Sequence, residues 1–317
     1  MRKTLLLFAL TCVCMANTKA ETVVPLSYGN FEQWVTRHIK ESAVIGGQEK
    51  KVFEIAPTRA ITGSKPYTNM GGSPWATSNV LAKVAGVVKT SNQVYPDRHG
   101  NGYCAKLTTQ YEHVKALGII NMDVLASGTI FLGQMLEPVS STKNPYSKMN
   151  MGMPFTKRPS ALQLEYKLTV PSGAQRIYSS GFGSKKNLPG QDYAEVFVLL
   201  QRRWEDAKGN IHAARVGTGR ERFGRSVANW SKHRIPIWYG NITGHAGYQS
   251  FMGLIPKDKS YYAKNSKGKM VPVIEEQWDE ANATPTHIVV MISSGCGTPY
   301  TGTPGMTFWV DNVSLVY

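Results

Sequence analysis

The stretch that most constrains this chain is Met306-Thr-Phe-Trp-Val-Asp-Asn-Val-Ser-Leu-Val-Tyr317. Met306, Phe308 and Val310 alternate with Thr307, Trp309 and Asp311, the two-residue period of a strand with one apolar face. At Asp311-Asn312 the alternation slips, and Val313, Leu315 and Tyr317 continue one residue out of phase. A slip of one turns every following side chain to the other face, so a bulge at this pair is expected to restore the register. A strand this apolar aggregates unless it is paired inside a sheet. It reads as the closing strand of an all-β sandwich.

The same period recurs upstream. In Ala161-Leu-Gln-Leu-Glu-Tyr-Lys-Leu-Thr-Val170, Leu162, Leu164, Tyr166 and Leu168 point to a core while Gln163, Glu165, Lys167 and Thr169 point away. Tyr103 to Thr109 alternates in the same way. Ala194–Trp204 and Ile211–Val216 flank a short Glu205-Asp-Ala-Lys-Gly-Asn210 loop, which predicts a hairpin. His287 to Ile292 is a continuous apolar run, and Glu275 to Ala281 reads as one or two helical turns. Short strands divided by Gly, Pro and Asn loops predict a β-sandwich of jelly-roll type. It occupies residues 71–317, preceded by an N-terminal segment, 21–70, that can form part of the sandwich.

Residues 1–20 carry Arg2 and Lys3, an apolar run from Leu5 to Met15, and small residues before a cut, which is the grammar of a signal peptide. The run is too short for a membrane-spanning helix, and no later segment is long and apolar enough for one. Export to the periplasm, the outer-membrane surface or the medium is expected. Losing Arg2, Lys3 and Lys19 lowers the formal charge from +15 to +12. A balance this basic favours anionic partners, which for an exported protein are acidic glycans or lipid headgroups and not nucleic acid. Cys104 and Cys296 remain. Export permits a disulfide between them, and two separate buried thiols fit their strand contexts equally well.

The common catalytic signatures are missing. There is no His-Glu-x-x-His helix, no Gly-x-Ser-x-Gly elbow and no phosphate loop. The seven histidines have no metal-site spacing, and no cofactor is expected. A structural Ca²⁺ is conceivable at Asp311, beside the bulge. Glycosidic hydrolysis needs two facing carboxyls, for which Asp192, Glu195, Glu275, Glu276 and Asp279 are the candidates. Sugar rings stack on aromatic faces and bond through their hydroxyl rims. The ligand-binding candidates are therefore Trp75, Asn79, Tyr95, Tyr178, Trp230, Trp238 and Tyr239. Arg220 and Arg222, crowded with Arg215 and Arg225 into a basic loop, are expected to read a carboxylate or sulfate.

Six stretches occur in a telling order: Ser73-Pro-Trp-Ala-Thr-Ser-Asn79, Gly102-Tyr-Cys-Ala-Lys-Leu-Thr-Thr109, Ala126-Ser-Gly-Thr-Ile-Phe-Leu-Gly133, Pro154-Phe-Thr-Lys-Arg-Pro159, Ile292-Ser-Ser294 and Phe308 to Tyr317. From about Trp75 to Tyr317 the chain resembles the putative carbohydrate metabolism domain of glycan-foraging Gram-negative bacteria. The resemblance implies a jelly roll that binds or degrades glycans, and it assigns no catalytic residue. Three readings stand open: an exported carbohydrate-binding protein, a glycoside hydrolase, and a structural or adhesive envelope protein held to anionic surfaces by its basic face.

Overall fold

The structure, a computed structural model, describes residues 20–317 apart from 69–71, 85, 117–119, 174, 182 and 297. The expected leader, with Cys12 and Cys14, lies outside the described residues except for Ala20. Strands and short 3-10 turns make up the regular structure, and among the described residues there is no α-helix. Among the described residues no helix is long and apolar enough to cross a membrane.

Two sheets form an all-β sandwich of jelly-roll type. The front sheet runs Ile120–Ser127, Gly102–Ala116, Thr307–Val316, Ala161–Thr169 and Val227–Pro236, so the closing strand lies at its centre. The bulge falls where the pattern slips. Gln163 faces Ser314 and Glu165 faces Asp311, so Leu164 alone opposes Asn312 and Val313. Asn312 takes the extra position with φ 52°, a left-handed conformation that Asn tolerates better than most side chains. Both phases then reach one core: Met306, Phe308, Val310, Val313 and Leu315 pack with Leu162, Leu164, Tyr166 and Leu168.

The back sheet contains His287–Ser293, Ala194–Glu205 and Ile211–Phe223 as antiparallel neighbours, and continues through Met270–Trp278 and Tyr262–Lys264 to Thr129–Met135. That last strand also pairs with His287–Ser293, so the path closes on itself. One face of these strands (Val196, Val198, Val290, Ile292) joins the main core, and the other (Phe197, Leu199, Val289, Met291) joins a second. Burial on both faces accounts for the unbroken apolar run at 287–292. Two local expectations change. Glu275 begins no helix: Met270–Trp278 is a strand that buries Val271, Val273 and Glu275 on the two-residue period. Arg215, Arg220 and Arg222 belong to the Ile211–Phe223 strand and not to a loop; of that group only Arg225 lies in the following turn.

The N-terminal segment is tied into the same body. Val23–Pro25 pairs with the closing strand. Trp34–Lys40, Glu49–Ile55 and Arg59–Thr62 form a small sheet, and Phe31, Trp34 and Ile55 enter the main core.

Candidate functional site

On the back-sheet hairpin Glu195 lies opposite Arg222, and Phe197 opposite Arg220. Strand geometry puts cross-strand partners and every second residue on one face, so these four share a surface. Glu195 is fully buried and accepts from both arginines: Arg220 through Nε at 3.2 Å and Nη2 at 3.1 Å, Arg222 through Nε at 2.8 Å. The carboxylate therefore fixes two guanidiniums side by side. Burial works against the charge of Arg220, but Glu195 outweighs it and holds the guanidinium above its ordinary range. Phe251, in the turn Ser250–Met252, lies 4.4 Å from the Arg222 guanidinium and 6.0 Å from that of Arg220, within cation–π reach. Tyr261 packs against Phe197 at 5.5 Å and edge-on to Tyr146 at 5.3 Å.

Above this floor opens a cleft of about 880 Å³. Its walls come from the 142–146 segment, Tyr178, the 254–259 segment and the 298–300 segment, where the Tyr300 hydroxyl donates to the Thr142 carbonyl at 2.7 Å. Lys143 and Lys259 add to the arginines, while Asp258 is the one carboxylate among the described lining residues. The result is a cationic cleft with aromatic surfaces. It suits a ligand that is flat and apolar on its faces and anionic or hydroxylated at its edge.

Of the ligand-binding candidates, Tyr178, Arg220 and Arg222 meet in this cleft. The others lie elsewhere. Trp75 is 2% exposed, inside the sandwich, and its indole N–H donates to the Ser27 carbonyl at 2.9 Å. Asn79 is buried; its Nδ2 donates to the carbonyls of Phe53 and Val94, and its Oδ1 accepts the N–H groups of Gln93 and Val94. These two tie the N-terminal segment to the sandwich and offer nothing to solvent. Tyr95 donates to the Asn92 carbonyl and accepts from Gln110. Trp230 stacks on His99 at 3.8 Å on the outer face of the front sheet, and Trp238 stacks on His245 at 3.7 Å. Tyr239 donates to the Pro159 carbonyl and lies 4.0 Å from the Arg158 guanidinium.

Each candidate acid is engaged by its own neighbours. Asp192 is buried, its carboxyl pushed above the usual range by burial; Oδ2 accepts the Thr303 N–H at 3.0 Å and Oδ1 lies 3.5 Å from the Cys296 thiol. Glu275 accepts from Arg215, Gln201 and the Ile255 N–H; burial opposes its charge, but Arg215 holds it below the usual range. Glu276 meets His212 at 2.8 Å, and Asp279 takes Arg202 by both oxygens. Asp311, beside the bulge, meets His99 at 2.5 Å and accepts the Asn312 N–H, and burial raises its pKa. Among the described residues no three His, Cys, Asp or Glu side chains gather as a metal site. Cys104 and Cys296 are separate free thiols rather than a disulfide, pushed up by burial to about 12 and about 11.

Phe251, Tyr146, Tyr261, Tyr300 and Lys259 were not marked by the sequence reading. They sit on loops that only the fold brings together. The signal that was available is the i, i+2 spacing of Arg220 and Arg222 on a strand, facing Glu195 near the start of its partner.

Fold and cleft describe a β-sandwich with a cationic, aromatic cleft on its back sheet. The chain belongs to the family described as putative carbohydrate metabolism domain, whose model matches residues 31–316. It is similar to the crystal structure of a putative glycoside hydrolase from Bacteroides thetaiotaomicron, at 19% identity over 93% of this chain and 71% of that one, TM-score 0.49. Another putative glycoside hydrolase, from Bacteroides vulgatus, matches at 15% identity over 93% and 94%, TM-score 0.42. A carbohydrate-binding module specific for non-crystalline cellulose matches at 9% identity over 77% and 89%, TM-score 0.28. No curated protein matches the sequence.

Proposed function

We propose that this protein is an exported glycan-binding protein whose cleft takes an acidic sugar, a uronate or a sulfated residue. The observation that carries this reading is the pair of guanidiniums, Arg220 and Arg222, aligned by buried Glu195 beside Phe251. A buried carboxylate that orients two arginines removes the entropy cost of arranging them when the ligand arrives. A carboxylate or sulfate then takes charge-assisted hydrogen bonds from the arginine edge, and the sugar ring rests on an aromatic face. Membership in a carbohydrate-metabolism family supports a glycan-related role. The engagement of Asp192 and Glu195 with their own partners favours binding over hydrolysis.

The test uses the chain from Glu21 onward against neutral and acidic polysaccharides, reading retardation in affinity gels and release of new reducing ends. Retardation by acidic glycans without product is expected. Arg222→Ala should weaken it roughly 10- to 100-fold, the worth of one or two charge-assisted bonds. Retention by no glycan, or equal retention of the variant, contradicts the reading. New reducing ends from any polymer would replace it with a hydrolase, and Asp192→Asn and Glu195→Gln would then identify the acid pair.

A further inference from the structure

A second cavity, of about 500 Å³, lies against the cleft and differs from it in chemistry. Its walls are mostly apolar: Ala82 and Val87 of the 80–91 hairpin, Val124 and Ala126 of the Ile120–Ser127 strand, Met135 and Met149. It falls within the range of small-molecule sites, roughly 300–1,000 Å³. The two cavities are bounded by the same pieces of chain. Pro145, Tyr146, Pro299 and Tyr300 line both, and so does Lys143. A partition of this kind places an apolar chamber within one side chain of a cationic, aromatic one.

We infer that the ligand of the cleft is an acidic sugar bearing an alkyl or aryl substituent, and that this substituent enters the apolar cavity across the Tyr146–Tyr300 wall. The inference rests on the cleft being the sugar site. The choice of occupant rests on adjacency: the cavity adjoins the cationic cleft, and Lys143 lines both. A ligand that spans the wall gains apolar burial on one side and charge-assisted bonds on the other.

The experiment is calorimetric titration of the chain from Glu21 onward with methyl β-D-glucuronide, octyl β-D-glucuronide below its micelle concentration, and n-octanol. Octyl glucuronide should bind at least tenfold more tightly than the methyl compound, because each buried methylene contributes roughly three- to fourfold. Ala126→Leu, which fills the cavity, should remove that gain while leaving the affinity for methyl glucuronide. Ala82→Leu supplies an independent filling variant should the first fold poorly. Arg222→Ala should weaken the octyl compound by the same factor as it weakens polysaccharide retention. The proposal is overturned if octyl glucuronide binds no better than methyl, whether both bind or neither does. It is also overturned if the gain survives in both filling variants, or if n-octanol binds as tightly as the glucuronide. Retention of acidic polysaccharide is read separately, so loss of the octyl effect with retention intact removes this inference alone.

Discussion

Arg37 is buried between two carboxylates. Its Nη1 donates to Glu54 at 2.8 Å, and both Nη atoms donate to Glu137, at 2.9 and 2.6 Å. Glu137 also accepts the N–H groups of Tyr67 and Leu81. Burial pushes Glu54 up to about 8 from its ordinary 4.5. Between those values the native state holds a proton that the unfolded chain has lost, so stability falls as pH rises from about 4.5 to about 8. His287 acts in the opposite sense. Burial depresses it from 6.5 to about 4, so its contribution is lost as pH falls through that window. Thermal unfolding should therefore be most resistant in mildly acidic buffer. Glu54→Gln should flatten the loss between pH 5 and 8, which in the wild type amounts to a few kcal/mol, roughly. An unchanged slope in the variant would assign the loss to other groups. None of this was visible in the sequence, because residue type does not disclose burial or partner. Trp75 and Asn79 show the same gap: an aromatic and an amide in a Gly/Ser/Pro-rich stretch read as loop residues, and the fold places both inside.

At the scale of single elements the sequence was more informative. The Asp/Gly/Asn loop between two strand runs located the Ala194–Glu205/Ile211–Phe223 hairpin, and alternation located Ala161–Thr169, because a sheet with one wet face writes its period into the chain. The phase slip located the bulge for the same reason. Glu275 was misread because Met270–Trp278 is covered on one side and carries Glu275 inward with Arg215, so polarity no longer marks the outer face. The bulge makes a prediction of its own. Asn312→Gly should be nearly neutral, whereas Asn312→Val forces a β-branched residue into the left-handed region and should cost about 1–2 kcal/mol in denaturant unfolding. Equal stability of Gly and Val at this position would show that the left-handed turn is not needed there.

Across the whole molecule, the front sheet closes the core, and the back sheet, buried on both faces, carries the cleft on its far side. The class of fold could be read because strand count, spacing and turn residues are local. The site could not, because its floor comes from one hairpin and its walls from segments near 144, 178, 256 and 300 that meet only in three dimensions. Net positive charge pointed to an anionic partner without saying where, and the structure concentrates four cationic side chains around that cleft. The front sheet offers the rival surface, where Lys167 lies between Trp230 and Trp309, 5.2 and 4.9 Å from their rings. The decisive measurement is a crystal structure with the most strongly retained acidic oligosaccharide bound. The account predicts its acidic group within hydrogen-bond distance of Arg222 and a sugar ring against Phe251. Sugar density over Trp230 and Trp309, with the cleft filled only by water, would contradict it.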